Sequence, residues 1–182
     1  MKKTTAAALV CSAMLVAAPA FAAAEPGERE KIEQVVETFR VSIIKKDADR
    51  FMKLFYSDTI PWIGVTTDKS LARENANKPK PDMPDEQKIS AGGSPRKFIE
   101  GIVKRTDMTI EEKFDNVRID SDGDVAQVWF DYSFNRDDYK SNWGKEAWHL
   151  VRTDAGWKIS SVIWSMEFNP EPPPKVKKNT KQ

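Results

Sequence analysis

The chain has 182 residues, of which 29 are basic and 28 acidic, so its formal net charge is +1. This length suits one domain with a sizeable hydrophobic core. The balanced charge excludes the basic surface that nucleic-acid binding requires, so no nucleic-acid partner is expected.

The N-terminus has the pattern of a secretory signal peptide. Lys2 and Lys3 precede an apolar run at residues 6–20, and Ala20-Phe21-Ala22 places small residues at the spacing of a cleavage site. Residues 1–22 are therefore predicted to be removed, and the mature chain is expected to be periplasmic or secreted. The apolar run is too short to span a bilayer comfortably, so no transmembrane segment is expected.

The only cysteine, Cys11, lies inside the predicted signal peptide. It raises a lipoprotein as the alternative, but Val10 precedes it where a small residue is expected, which disfavours lipidation. Because Lys2 and Lys3 leave with the signal, the mature chain keeps 27 basic and 28 acidic residues. An exported chain without cysteines has to be held together by packing instead of disulfides.

Helices are predicted in the first half of the mature chain. Residues 28–46 have apolar side chains at helical spacing, and Asp47 can cap a second helix that contains Phe51 and Phe55. A short strand is predicted at residues 60–66. A further helix is expected to begin at Ser94-Pro95, because proline suits the first position of a helix.

Two segments are predicted to lie outside this regular structure. Residues 67–93 contain three prolines, many charges and no apolar period. This pattern favours a mobile insertion loop over a working lid. Residues 169–182 are rich in proline and then in lysine, so they are predicted to form a disordered basic tail.

From residue 109 onward the apolar period changes to two, which predicts an antiparallel meander. Its four strands are expected at residues 109–119, 124–135, 145–152 and 157–167. Helices followed by such a meander indicate an α+β domain at residues 28–168, with helices packed on one face of a curved sheet. The strand DVAQVWFDYSF is apolar on both faces, so its outer face also needs a cover.

The last strands carry a family resemblance. The segments GDVAQVWFDYSF, SNWGKEAWHLVR and DAGWKISSVIW resemble the closing strands of the nuclear transport factor 2-like superfamily, and within it the group named lumazine-binding proteins. The resemblance implies a cone-shaped, cystatin-like α+β roll: a strongly curved, mostly antiparallel sheet that wraps around helices and leaves a pocket at its wide end. Relatives use such pockets for ketosteroid isomerisation, polyketide cyclisation, dehydration or ligand binding.

The resemblance also implies pairing of two copies through the outer face of the sheet. Alternation along the last strand places Trp164 on the face away from Trp157, where it would support this pairing, so a homodimer is predicted. One motif departs from the group. Asn142-Trp143-Gly144 stands where its members often have His-Cys-Gly, so any role of that histidine is lost here, and the lumazine ligand is not carried over.

The predicted pocket has candidate ligand-binding residues on the closing strands. Alternation places Asn142, Glu146 and Trp148 on one face, and the same count along the last strand places Ser161 beside Trp157. The chain has six tryptophans, and we expect one or two of them to contact a small apolar or aromatic molecule. The predicted ligand-binding set is Trp62, Asn142, Glu146, Trp148 and Ser161.

The candidates for catalysis are Glu146, Tyr132 and Asp131. Tyr132 and Asp131 lie on opposite faces of their strand, so at most one of them can reach the pocket. Glu146 has two interpretations: a buried acid or base whose pKa is raised by an aromatic lining, or a carboxylate at the rim that pairs with Arg152 or a lysine. The pattern favours the rim.

No metal site or cofactor is predicted. The carboxylates of residues 120–124 are typical of a hairpin turn, because Val125 stands where a calcium loop has its glycine. His149 is the only histidine, and alternation turns it to the outer face. The favoured function is therefore an exported protein that binds a small molecule. An acid/base enzyme of the isomerase or dehydratase type and an envelope protein-interaction module are the alternatives.

The N-terminal pattern makes one testable prediction. The exported protein should be cleaved within about two residues of Ala22, because that position follows the small-residue motif. Intact mass spectrometry of the secreted chain measures this directly. A mass that retains Cys11 with an added lipid would contradict it.

Overall fold

The computed structural model describes residues 27–174, so the predicted signal peptide and the basic end of the predicted tail, residues 175–182, lie outside the described residues. The described chain contains helices and strands in one continuous α+β arrangement. The helices are α1 (Glu28–Lys45), α2 (Ala48–Met52), α3 (Asp68–Ala76) and α4 (Pro95–Val103). The strands are β1 (Trp62–Thr66), β2 (Ile89–Ser90), β3 (Ile110–Ser121), β4 (Val125–Arg136), β5 (Tyr139–Thr153) and β6 (Gly156–Phe168). No helix in this part of the chain is long and apolar enough to cross a bilayer.

The strands form one curved sheet in the order β2-β1-β6-β5-β4-β3. Strands β3 to β6 make the predicted antiparallel meander, while β1 runs parallel to β6 and antiparallel to β2. The structure thus confirms an α+β fold with a mostly antiparallel sheet. Strand β5 begins at Tyr139, earlier than predicted, and its first residues pair with the end of β4.

Local sequence signals set the helices as expected. The apolar stripe of α1, from Ile32 to Ile43, is buried. The Asp47 side chain accepts a hydrogen bond from the Arg50 N–H at 2.9 Å and caps α2. The Ser94 hydroxyl caps α4 in the same way, with Pro95 at the first helical position.

The two faces of β4 have different surroundings. Alternate side chains from Ala126 to Tyr132 are buried on the concave face beneath the helices. On the outer face, Val125 and Trp129 remain 54% and 45% exposed. The helices therefore cover only one apolar face of this strand, and in the single chain the other face is open to solvent.

Three β-bulges interrupt the meander. Each inserts an extra residue into one strand of a pair, which bends that strand and increases its local twist. They fall next to Asn116 in β3, at Ser141 in β5 and at Ser160 in β6. Asn116 has a φ of 54°, a left-handed conformation that asparagine tolerates better than most residues.

The bulge in β6 reverses the facing that the sequence predicts for two residues. Trp157 and Ile159 face the core before the bulge, and Val162 faces it after the bulge, because one extra residue reverses the alternation. Ser161 therefore lies on the outer face, away from the predicted pocket. Trp164, predicted to support the outer dimer face, turns inward and packs 5.5 Å from the Trp62 ring.

Contrary to the prediction, the segment at residues 67–93 contains regular structure, namely α3 and β2. The Ser70 side chain is fully buried and accepts a hydrogen bond from the Phe168 N–H at 2.9 Å. Arg73 donates to the Phe168 carbonyl at 2.8 Å. These bonds hold α3 against the end of β6, and the exposed connection from α3 to β2 follows it.

The first residues of the predicted tail contact the sheet. Asn169 bonds β5 through its backbone N–H, which donates to Ser141, and through its side-chain amide, which donates to Lys140. The Tyr139 hydroxyl donates to the Glu171 carbonyl at 2.7 Å. Residues 169–174 form no helix or strand, but these hydrogen bonds hold Asn169 and Glu171 against β5.

Candidate functional site

A cavity of about 150 Å³ lies between the concave face of the sheet and the helices α1 and α4. Apolar cavities of about this volume can hold one benzene-sized molecule. Its wall is mainly aromatic, and its polar groups come from the three strands β3, β4 and β5. The aromatic residues are Phe39, Trp62, Phe98, Phe134 and Trp164, and the polar ones are Glu112, Tyr132, Asn142 and Glu146.

The register of the sheet explains how two distant acids meet. Glu112 of β3 lies opposite Phe134 of β4, and Glu146 of β5 lies opposite Phe130 of β4. All four side chains are on the concave face, so the two glutamates extend toward each other across β4. Curvature of the sheet shortens that distance on the inside.

Glu112 and Glu146 form a buried pair of carboxyl groups. Each residue is only 4% exposed, and the two side chains are within hydrogen-bonding contact of each other. The Trp148 indole N–H donates to Glu146 Oε1 at 2.5 Å. Within residues 27–174, neither glutamate forms an ion pair with a lysine or arginine.

Burial controls the protonation of this pair. Loss of solvation raises the pKa of Glu146 to about 7, although the Trp148 hydrogen bond opposes the rise. Burial, and then the charge of Glu146, raise the pKa of Glu112 well above its ordinary value. Near neutral pH, the two carboxyl groups therefore share a proton that exposed glutamates would have lost.

Tyr132 is a neutral neighbour of the pair. Its hydroxyl lies 3.0 Å from the Ser165 carbonyl and 3.2 Å from Asn142 Oδ1, so its single proton is donated toward these acceptors. Burial raises the pKa of Tyr132 far above its ordinary value, and the two nearby carboxyls add to this effect. Tyr132 therefore acts as a hydrogen-bonding support and not as an acid at neutral pH.

Glycine at position 144 makes the Tyr132 contact possible. A Cβ atom at Gly144 would lie 2.1 Å from the Ser165 carbonyl oxygen, so no side chain fits there without a shift of the backbone. The close approach of β6 at this point lets the Ser165 carbonyl accept from Tyr132.

The structure brings three of the predicted ligand-binding residues together. Trp62, Asn142 and Glu146 line the cavity. Trp148 is fully buried next to it, where it donates to Glu146 and packs against Phe39 at a ring distance of 4.6 Å. It therefore supports the site from behind the wall.

Ser161 is the predicted ligand-binding residue that the structure places elsewhere. Its hydroxyl lies 2.8 Å from His149 Nδ1 on the outer face of the sheet. The facing predicted for Ser161 is wrong because the count along β6 did not include the bulge at Ser160. The outward position predicted for His149 is confirmed.

Asp131 also lies outside the cavity. It forms an ion pair with Lys145 and accepts a hydrogen bond from Asn116 at 2.7 Å on the outer face. Of the two alternatives on this strand, Tyr132 is the one that faces the cavity. Asp131 therefore does not line this cavity.

The favoured interpretation of Glu146 as a rim carboxylate is also wrong. Arg152, its expected partner, pairs with Asp124 at 2.7 Å at the other end of β5. Glu146 is instead buried, and the second acid that its own strand does not offer comes from β3. The residue missed by sequence reasoning is thus Glu112.

The sequence does contain a signal for Glu112. Ile110 and Phe114 flank it at the two-residue period, and both belong to the apolar face of β3. A glutamate in the middle of an apolar alternation is a polar group in the core, which needs a partner or a function.

Comparisons with known proteins support the fold. No protein-family model and no curated protein matches the chain. A protein of unknown function from Nostoc punctiforme with a cystatin-like fold is 11% identical, with a TM-score of 0.54, over 80% of this chain and 95% of that one. A nuclear transport factor 2-like protein of unknown function from Shewanella baltica is 17% identical, with a TM-score of 0.52, over 78% and 95%.

A further nuclear transport factor 2-like protein of unknown function, from Pseudomonas putida, has a TM-score of 0.54 at 12% identity and covers 82% of this chain and 92% of that one. At such identities the likeness is one of fold. The chain therefore has the cone-shaped fold of the nuclear transport factor 2-like and cystatin-like proteins.

The buried carboxyl pair makes stability depend on pH in a defined direction. Between about pH 4.5 and about pH 7, the unfolded chain releases the Glu146 proton while the folded protein retains it. Stability should therefore fall as the pH rises through this window, by about 3 kcal/mol for Glu146 at 1.36 kcal/mol per pKa unit. Urea unfolding at several pH values measures the slope.

Two isosteric substitutions identify the source of that slope. Glu146→Gln should remove much of it, and the double variant Glu112→Gln/Glu146→Gln should remove nearly all of it. Glu100→Gln is the matched control, because Glu100 is exposed on α4. A double variant with the wild-type slope would show that the pair is not the source.

Proposed function

We propose that this protein binds a small, mainly apolar molecule in the cavity and that the Glu112–Glu146 pair transfers a proton to or from it. The observation that carries the proposal is the contact between two buried carboxyl groups inside an aromatic wall, without an ion-pair partner in the described chain. This favours an acid/base enzyme of the isomerase or dehydratase type over simple ligand binding.

The geometry suits proton transfer in a site that excludes water. Near neutral pH, one carboxyl can donate a proton while the other accepts one, because burial and mutual repulsion keep their ionisations apart. A base whose pKa lies near the working pH is also the most effective in general base catalysis. Glu146 has a pKa of about 7 and therefore fits the role of the base.

Stability favours this interpretation over a pocket for binding alone. Two buried carboxyl groups destabilise the fold at neutral pH, whereas glutamine would fill the same space without a charge. Groups that oppose stability in this way concentrate at functional sites. The aromatic wall by itself would be enough to bind an apolar ligand.

A generic probe of buried bases tests the proposal without knowledge of the substrate. In nitrobenzisoxazole, a base removes the ring C–H proton, the N–O bond breaks, and a coloured cyanophenolate forms with no other reactant. We expect the wild-type protein to accelerate this elimination and the rate to rise with pH to a plateau above about pH 7. Glu146→Gln should lower the rate by roughly a hundredfold or more.

The controls separate the cavity from the protein surface. Glu100→Gln should leave the rate unchanged, because that carboxylate is exposed to water. Glu112→Gln should move the midpoint of the pH profile, since it removes the neighbouring acid. Equal rates for Glu146→Gln and the wild type would contradict the role of Glu146, and saturable binding of the probe without turnover would indicate a binding protein.

We further propose that two copies pair through the outer face of the sheet. Trp129, Ala147 and Ile163 lie side by side in one row across three strands, and Trp129 and Ile163 are 45% and 42% exposed. Exposed apolar rows of this kind are typical of interaction surfaces.

Light scattering at micromolar concentration tests the pairing and should give about twice the monomer mass. Trp129→Glu should give the monomer mass, because it places a charge in the middle of the row. Ile89→Glu is the matched control, since Ile89 is exposed on β2, at the edge of the sheet. A monomeric wild-type protein would contradict the dimer.

Export to the periplasm or the medium and membership of the lumazine-binding group are also proposed. The N-terminal pattern supports the first, and the order of the three closing-strand motifs supports the second. Neither assignment identifies a ligand.

A further inference from the structure

The carboxyl pair lacks a counter-charge, although several surface carboxylates of the same sheet have one. Asp131 pairs with Lys145 and Asp124 with Arg152, whereas Glu112 and Glu146 have only each other and one indole N–H. Glu112 is more than nine-tenths buried, lines the cavity and has no hydrogen-bonding partner other than Glu146 among the described residues. When the pair ionises, a counter-charge can come only from the solution, because the described residues supply none.

Three donor groups around the pair already have acceptors. The Trp148 N–H donates to Glu146, the Tyr132 hydroxyl donates toward Ser165, and Asn142 Nδ2 donates to the Ser141 hydroxyl at 3.2 Å. The carboxyl oxygens that face the cavity therefore accept hydrogen bonds from whatever enters it. A ligand that supplies N–H donors together with a positive charge would satisfy them best.

Other ligand charges fit less well. An anion would be repelled by the ionised pair, and among residues 27–174 no cationic side chain lines the cavity. A divalent metal ion needs six or more oxygen ligands, or a tetrahedral set that includes His or Cys. Within residues 27–174, no group of three or more such ligating side chains lies together.

The wall beyond the carboxyl pair suits the apolar part of a cation. The Trp62 ring lies 5.4 Å from the Phe98 ring and 5.5 Å from the Trp164 ring, so aromatic groups form a continuous lining. Aromatic rings attract cations through their quadrupole, and tryptophan does so most strongly. Acids at the base and rings along the wall are therefore complementary to one kind of molecule.

We propose that the cavity takes a compact organic ammonium ion, with its ammonium group at Glu112 and Glu146 and its apolar part among the rings of Trp62, Phe98 and Trp164. This rests on the proposed function, because it specifies the substrate class of the same cavity. It narrows the substrate from any small, mainly apolar molecule to a primary or substituted amine of about the size of one aromatic ring.

Binding of such a cation displaces the proton that the pair holds. The titratable groups that face the cavity are Glu112, Glu146 and Tyr132, and helices α1 and α4 contribute only Phe39 and Phe98 to its wall. A positive charge beside the two glutamates favours their ionised form. Ammonium binding near pH 7 should therefore release protons from this pair.

Benzylamine and benzyl alcohol form a matched pair of probes, because they share ring and length and differ in charge. Calorimetric titration of the full chain at about pH 8, where benzylamine is still protonated, should show benzylamine binding roughly tenfold to a hundredfold more tightly. Titration near pH 7 in buffers of different ionisation enthalpy should show proton release with benzylamine only.

The variants test the assigned contacts. Glu112→Gln/Glu146→Gln should reduce the affinity for benzylamine to that for benzyl alcohol and abolish proton release, while Glu100→Gln should change neither. Glutamine fills the space of glutamate, and circular dichroism of each variant checks its fold.

The outcomes distinguish this inference from the proposed function. Equal affinity for the two probes, together with turnover of nitrobenzisoxazole, would overturn the ammonium assignment and leave the acid/base function intact. Binding of neither probe, without turnover, would overturn both. Tighter binding of benzylamine that persists in the double variant would also overturn the assignment, because the charge would then be recognised elsewhere.

Discussion

A sheet that covers helices on one side only has to bend around them, because flat strands would leave part of the helix surface without contacts. Here the bend depends on extra residues beside Asn116 and at Ser141 and Ser160. Each adds twist and shifts the alternation of its strand. The concave face then both buries the stripe of α1 and encloses a cavity.

The same bends determine which side chains line that cavity. Without the extra residue in β6, Trp164 would face solvent and Ser161 would face the helices. With it, Trp164 joins Trp62 in the wall, and Ser161 bonds His149 on the outside. A single extra residue thus turns Trp164, in place of Ser161, toward the cavity at this end of β6.

The electrostatics of the sheet differ between its two faces. On the outer face, opposite charges pair in solvent, where each pair stabilises the fold by at most about 1 kcal/mol. On the inner face, two like groups share a site from which water is excluded, and their ionisation destabilises the fold. The fold tolerates this because the large aromatic core around Phe39, Phe51 and Trp148 stabilises it.

Two buried aromatic side chains support the carboxyl pair. Trp148, buried between Phe39 and Glu146, fixes the position of one carboxyl, and Tyr132 maintains the spacing of β4 and β6 beside the other. Both supports hold the pair in place without taking part in its titration near neutral pH. The site therefore combines a carboxyl pair that titrates near neutral pH with rigid neighbours.

The sequence by itself determined most of the helices and strands of this protein, with α3 and β2 as the exceptions. Apolar periods located α1 and the four meander strands, and capping residues located the starts of α2 and α4. These signals are local, because each depends on residues a few positions apart in the chain. Alternation along β5 also placed Asn142 and Glu146 on the face that lines the cavity.

Only the tertiary structure decided the contacts between elements. Glu112 and Glu146 are distant in sequence and separated by a strand, so no spacing in the sequence reveals that they meet. Bulges shift the facing of Ser161 and Trp164, because their positions depend on how neighbouring strands pair and not on the period of either strand. Likewise, α3 is held by a hydrogen bond between Ser70 and Phe168. These residues are far apart in the chain, so no local pattern reveals their contact. The chemistry of the site follows from these long-range contacts, since burial and proximity set the pKa values of the pair.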